Sequence, residues 1–216
     1  PRYNRVGTRA DRYCYLRLDT DTAWPRLSVV RRADRAGVHL GPLTSRSTAT
    51  LVAEAIGAVA PLRRCSTRLG RRHRPDPGSG TCAAAQLGVA LCPCADEVDP
   101  AAYARAVETA AAALGGSIET VSGPLTAKMG ALVAGQRFEE AAQVRDRLAA
   151  FASAARRHHL LVALLRLRRA TLALDGTVWT IDGARLVEAR PDGTLTGPLP
   201  VDAPPPPDPS RPLDPT

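Results

Sequence analysis

Aromatic side chains make up only 4% of this 216-residue chain, so any core must be assembled mostly from alanine, leucine and valine. Lysine is almost missing. Lys128 stands alone against 28 arginines, whose planar guanidinium forks suit bidentate contacts with phosphate. No run approaches the roughly 18 uninterrupted apolar residues needed to cross a bilayer, and no charged stretch followed by an apolar one opens the chain. The expectation is a cytoplasmic chain with no membrane partner. An initiating methionine is also absent, and Pro1 leads straight into dense sequence, as expected for a piece of a longer protein.

What the chain does have is hydrophobic content of 44%, enough for one large or two small cores, and positive charge gathered at one end. Residues 1–75 carry 16 basic and 5 acidic side chains, net +11, whereas residues 76–216 carry 13 and 16, net −3. Charge concentrated in this way favours a polyanionic partner over a small acidic substrate, and nucleic acid is the commonest polyanion. The bland alternative is a solvated basic surface.

The pattern of residues reads as α+β. Over 1–60, Tyr13–Leu18, Pro25–Val30 and Val38–Leu40 alternate as three short strands, and Gly41-Pro42 ends the third. Ser45 or Ser47 then caps a helix through about Val59, with Leu51, Val52, Ala55, Ile56 and Val59 at helical spacing, and Pro61 stops it. Asp99 and Pro100 open another helix, as N-cap and first residue, running to Gly115-Gly116. Thr171–Arg190 alternates around the Asp175-Gly176 and Asp182-Gly183 pairs, which predicts a two- or three-stranded meander over 171–201. Residues 202–216 are proline-rich, carry no apolar content to bury and are expected to be disordered.

Four of the five cysteines, Cys65, Cys82, Cys92 and Cys94, fall within residues 61–98. Clustered thiols in a cytosolic chain point to metal or redox use rather than structural disulfides. Four thiolates in a loop-rich segment suit a 4Fe–4S cluster or a tetrahedral zinc; an empty site or buried free thiols are the alternatives. Cys14, alone in a strand, reads as a small core residue. Between the cysteines runs an arginine-rich loop, so Arg63, Arg64, Arg68, Arg71, Arg72 and Arg74 are candidate contacts to DNA phosphates.

Within the helical region 99–170, Leu125, Met129, Leu132 and Val133 line one side of a short helix. Gly135 breaks the pattern, and Phe138, Ala141, Ala142, Arg145 and Leu148 resume it, so an antiparallel hairpin is predicted at about 123–152. Small Ala141 and Ala142 beside large Phe138 make a docking surface, or an ordinary packed hairpin. Past Leu148 the second helix should be prolonged, interrupted by Arg156-Arg157-His158-His159, and Leu160–Leu167 should be buried because it is apolar nearly all round.

Met129…Phe138-Glu139-x-Ala141-Ala142-x-x-Arg145-Asp146 resembles the UVR motif, through which the excision-repair nuclease UvrC contacts UvrB. "PRYN", a tyrosine-rich strand, "PRLSVVRR" and a GP-x-TS turn into a helix follow the order found in the same family. The resemblance implies a UvrB-like partner held through Met129, Phe138, Glu139, Ala141, Ala142, Arg145 and Asp146. It also implies a GIY-YIG nuclease domain just before this region, whose tyrosine, arginine and glutamate bind a divalent metal. None of those motifs occurs here; Asn4 matches the asparagine at the tail of that domain, or is a turn residue after Tyr3. Cleavage is therefore not expected of this chain on its own. Family members hold an iron–sulfur cluster through Pro-Leu-Arg-x-Cys and a spaced cysteine trio. Pro61–Cys65, Cys82, Gly88, Pro93 and Cys94 match that pattern, but the middle cysteine falls on Ala90 and Cys92 stands two residues later.

The short β ending looks like that of shorter homologues keeping only the GIY-YIG half, including forms fused behind a DnaQ-like 3′–5′ exonuclease. The functional expectation is the non-catalytic half of a UvrC-like repair endonuclease that grips DNA and docks a partner. A stand-alone DNA-binding adaptor and a zinc-binding regulator are the alternatives, the last lacking a recognition helix.

Overall fold

The computed structural model describes residues 13–33, 37–67, 69–70, 73–76, 80–94, 98–183 and 185–191. Asn4, Arg68, Arg71, Arg72 and the proline-rich tail lie outside the described residues. The chain divides into two compact units, and His158 is the last helical residue of the first.

The first unit is built on β1 (Cys14–Leu18), β2 (Leu27–Val30) and β3 (Val38–Leu43), an antiparallel sheet in the order β2-β1-β3. In central β1, Cys14, Tyr15, Leu16 and Leu18 are all buried, and Leu16 pairs with Val29 on one side and Leu40 on the other. β3 does not stop at Gly41-Pro42: it continues through a cis peptide to Leu43. Gly41 fits there because a Cβ would lie 2.6 Å from Cδ1 of Tyr15. The register shift between Cys14 and Leu16 falls at the same place.

Helix α1 (Arg46–Gly57) starts where the Ser45 hydroxyl accepts from Thr48 N at 3.1 Å, and it buries Ala49, Val52, Ala55 and Ile56. A one-turn helix, α2 (Ala83–Gln86), which the residue pattern did not show, sits inside the cysteine segment. Helix α3 (Pro100–Leu114) begins on Asp99, whose carboxylate accepts from Ala101 N at 2.9 Å and Ala102 N at 3.1 Å. Pro100 loses nothing at the first position, where its missing N–H would have had no helical partner. The buried face of α3 is Tyr103, Ala106, Ala110, Ala113 and Leu114, so small residues bring this helix close in a chain with few rings.

Helices α4 (Glu119–Ala134) and α5 (Phe138–Arg166) form the hairpin, and Gln136 at φ 56° makes the turn. α4 begins earlier than the periodicity implied, so Pro124 lies inside it and one backbone hydrogen bond is missing. The hairpin buries Val121, Leu125 and Leu132 from α4, with Ala141, Val144, Phe151, Ala154 and Ala155 from α5. As the prolonged second helix implied, α5 stays helical through Arg156–His159, because exposed arginines are solvated on a helix surface without disturbing its backbone hydrogen bonds. The burial expected of Leu160–Leu167 is only partial, with Leu161, Val162, Leu164 and Leu165 half-buried. Leu160 is 60% exposed and Leu167 44%, since among the described residues nothing covers them.

The second unit holds the end of α5 and an antiparallel meander of β4 (Arg169–Leu174), β5 (Thr177–Asp182) and β6 (Arg185–Pro191). Asp175 at φ 50° and Gly176 at φ 67° both take the left-handed conformation that a two-residue hairpin turn requires. Together these elements make the α+β architecture that the sequence implies. Among the described residues, no helix is long and apolar enough to cross a membrane.

Candidate functional site

The thiols do not converge as a set of four. Cys92 and Cys94 approach to 2.8 Å between sulfurs, and Cys65 interacts with the same Cys94 thiol. Burial, then the Cys92 and Cys65 thiols, push the Cys94 thiol up to about 12, so it keeps its proton at neutral pH in this arrangement. Cys82 stands apart as the N-cap of α2, without a side-chain cap bond. Ala90, where the resemblance places a cysteine, is buried at 6% exposure and Cys92 at 3%. Among the described residues no group of three or more His, Cys, Asp or Glu side chains is arranged to hold a metal ion. Thiolates at about 2.3 Å around one tetrahedral metal sit about 3.8 Å apart. Four thiols are donor chemistry that suits a metal or cluster, and the 2.8 Å between the Cys92 and Cys94 sulfurs is shorter than that spacing.

Beside the thiols lies a polar knot that no local pattern announced. Arg63, a candidate DNA contact from sequence, is only 6% exposed. Its Nε donates to the Trp24 carbonyl at 2.8 Å, and Nη1 donates to the carbonyls of Thr67 at 2.8 Å and Cys65 at 3.2 Å. Nη1 also lies 3.3 Å from Cys65 Sγ. With Nε and Nη1 committed to these partners, Arg63 is held as a buried strut within the fold. The Tyr103 hydroxyl donates to the Pro25 carbonyl at 2.6 Å and accepts from Arg63 N at 3.3 Å, while Trp24 packs edge-on against its ring at 4.9 Å. Burial raises the Tyr103 pKa, against the lowering effect of Arg63. Trp24 lies 39 residues before Arg63, so periodicity held no trace of their meeting.

Of the other candidate DNA contacts that are described, Arg64 and Arg74 are exposed. Arg64 Nη2 reaches the Val89 carbonyl at 3.5 Å.

On the hairpin, Phe138 opens α5 with 62% of its surface exposed, directly after the turn. Glu139, Arg145 and Asp146 are exposed, with Arg145 paired to Asp146 at 2.7 Å, while Met129 and Ala142 are half-buried. Ala141 is buried, so it sets the depth of the hairpin rather than meeting solvent. Arg137 pairs with Glu140 beside the turn, which holds the Glu140 carboxylate below its ordinary value and raises Arg137. Arg147 joins Glu54 of α1 at 2.7 Å, fastening α5 to the sheet-bearing body across 93 residues. Sequence reasoning passed over that pair, because neither residue carries a local motif.

Residues 13–113 match the model of the UvrC/Cho excinuclease middle domain, and residues 124–153 match the UvrB/UvrC motif. Over these segments the chain belongs to the UvrC/Cho excinuclease family. A UvrABC system protein C of Nitratidesulfovibrio vulgaris is 37% identical over 69% of this chain and 21% of its own length. One from Natronomonas pharaonis is 35% identical over 69% of this chain and 25% of its own. A Mycobacterium tuberculosis protein, named as a candidate bifunctional exonuclease/endonuclease, is 36% identical over 91% of this chain and 27% of its own length. The chain thus spans about a quarter of the curated relatives it matches. No solved structure matches it significantly.

Within the family frame, the middle-domain match covers the sheet, α1, the thiol segment and nearly all of α3. The UVR match covers most of α4 and the first half of α5.

Proposed function

We propose that this chain is the DNA-gripping and partner-docking portion of a UvrC-like repair nuclease, the incision itself belonging to a GIY-YIG site in the longer protein. The observation that carries the reading is Phe138: a large ring left 62% exposed at the head of α5, in a UVR-matching hairpin whose adjoining Ala141 and Val144 are buried. An aromatic ring with a fixed base and a polar rim is the usual form of an interface anchor. Glu139, Arg145 and Asp146 supply that rim, and the partner that fits is a UvrB-like protein. DNA contact is supported by the net +11 of residues 1–75 and by exposed Arg64 and Arg74. The Mycobacterium relative, matched over 91% of this chain, supports the form fused to an exonuclease over a free-standing excinuclease.

For residues 61–98 the thiol chemistry supports an iron–sulfur cluster first and zinc second, with Cys65, Cys82, Cys92 and Cys94 as ligands. Either group would fix this segment beside α3. Anaerobic purification followed by metal analysis and visible absorbance decides between cluster, zinc and neither. Binding of purified UvrB-like protein to the 216-residue chain tests the docking reading: micromolar or tighter association supports it, and none at high micromolar concentration overturns it.

A further inference from the structure

We propose that the cleft between the end of α1 and the helical hairpin seats a backbone phosphate of DNA, with Arg64, Lys128 and Arg147 supplying the charge. This rests on the DNA-gripping reading above and gives it a place. The cleft measures about 460 Å³, and its wall brings together Glu54 and Gly57 of α1, Arg64, Val89, Lys128 of α4 and Arg147 of α5. Three cations face one carboxylate. Glu54 engages Nε of Arg147 at 2.7 Å and fixes that guanidinium at the wall. Arg64 lies over Gly57, where an added Cβ would sit 3.6 Å from Nη2, and the same nitrogen reaches the Val89 carbonyl at 3.5 Å. Lys128, the one lysine of the chain, has no carboxylate in ion-pair contact among the described residues. Cations gathered around a concave wall repel one another and focus a positive potential, which an anion between them relieves.

The wall has no aromatic ring, so a nucleotide base would find no platform to stack on. Charge without such a platform reads phosphate and sugar, and sets register rather than sequence. An extended polyanion is favoured over a free phosphate because Arg64 belongs to the strongly basic first third of the chain. The hairpin then has two working surfaces: Phe138 at its turn for a protein, and Lys128 with Arg147 along its arms for DNA.

Fluorescence anisotropy of duplex DNA with the 216-residue chain, between about 50 and 200 mM salt, tests this with the Arg64→Gln/Lys128→Gln double variant. Both side chains are exposed, and unchanged circular dichroism and melting confirm folding. The expected result is a slope of log K against log[salt] shallower by about 1 to 2, and binding at about 50 mM salt at least roughly tenfold weaker. Wild-type binding with a normal salt slope that the double variant reproduces overturns the cleft alone. Absence of any salt-dependent DNA binding by the wild type overturns the cleft and the DNA-gripping reading together. Two further arms separate other anions. If the variant keeps its DNA slope but loses inorganic phosphate binding, or loses an acidic protein partner, the cleft serves that anion and the proposal is overturned.

Discussion

Two three-stranded antiparallel sheets of similar length occur in this chain, and they differ in what they bury. In β2-β1-β3, four of the five residues of the central strand are buried, and both α1 and α3 contact it. In β4-β5-β6 the one buried residue is Thr180, while Leu172, Leu174 and Leu186 are 53%, 56% and 42% exposed. Alternation and good turns are enough to draw a sheet, as Asp175-Gly176 shows, but apolar burial comes from what lies on its face. The first sheet is therefore a core. The second is held by its hydrogen-bond ladder and by cross-strand side-chain contacts such as Thr180 Oγ1 donating to the Glu188 carboxylate at 3.4 Å, with the Arg190 to Glu188 pair inside β6 adding little at the surface.

Substitutions can break the contrast in order of size. Leu16→Ala, at 0% exposure in β1, should cost about 2–5 kcal/mol in urea unfolding monitored by circular dichroism. Gly41→Ala comes next, since its Cβ would lie 2.6 Å from the buried Tyr15 ring; a loss of about 1–3 kcal/mol is expected by the same measurement. Leu172→Ala in β4, 53% exposed, should change stability by less than about 0.5 kcal/mol. A large loss at Leu172 together with a small one at Leu16 would reverse the contrast.

The thiol segment sharpens it differently. The Cys94 thiol is pushed up to about 12 in the folded chain against an ordinary value of 9.0, so the folded state keeps a proton that the unfolded state sheds. Its contribution is complete below about pH 9 and is lost as pH rises toward 12. The urea midpoint of the reduced, metal-free chain should fall across that range, and fall less in Cys94→Ser.

Much of this architecture was legible because it is local. Asp99 with Pro100, Ser45 before α1, Gly135 before Phe138 and the Asp-Gly turn each sit within a few residues of the structure they cause. What was not legible depends on distant partners. The Gly41-Pro42 pair reads as a strand end until Tyr15 is seen packed over it. Arg63 reads as a surface cation until the Trp24 carbonyl takes its Nε, and Arg147 carries no signal until Glu54 faces it. The four cysteines are equivalent in sequence, yet Cys65 and Cys92 interact with Cys94 while Cys82 caps α2, a one-turn helix that periodicity did not reveal. In the same way the apolar run Leu160–Leu167 calls for burial without specifying whether a neighbour exists to provide it.

Exposed apolar surface also occurs in both units; Val133 and Phe138 lie within the UvrB/UvrC motif match, and Phe138, the more exposed of the two, is the proposed partner anchor. Titration calorimetry of a UvrB-like protein into the wild-type chain, Phe138→Ala and Leu172→Ala is the most direct test of that assignment. Phe138→Ala is expected to lose about 2 kcal/mol of binding, roughly 30-fold in Kd, with Leu172→Ala unchanged. Wild-type affinity in Phe138→Ala would contradict the assignment.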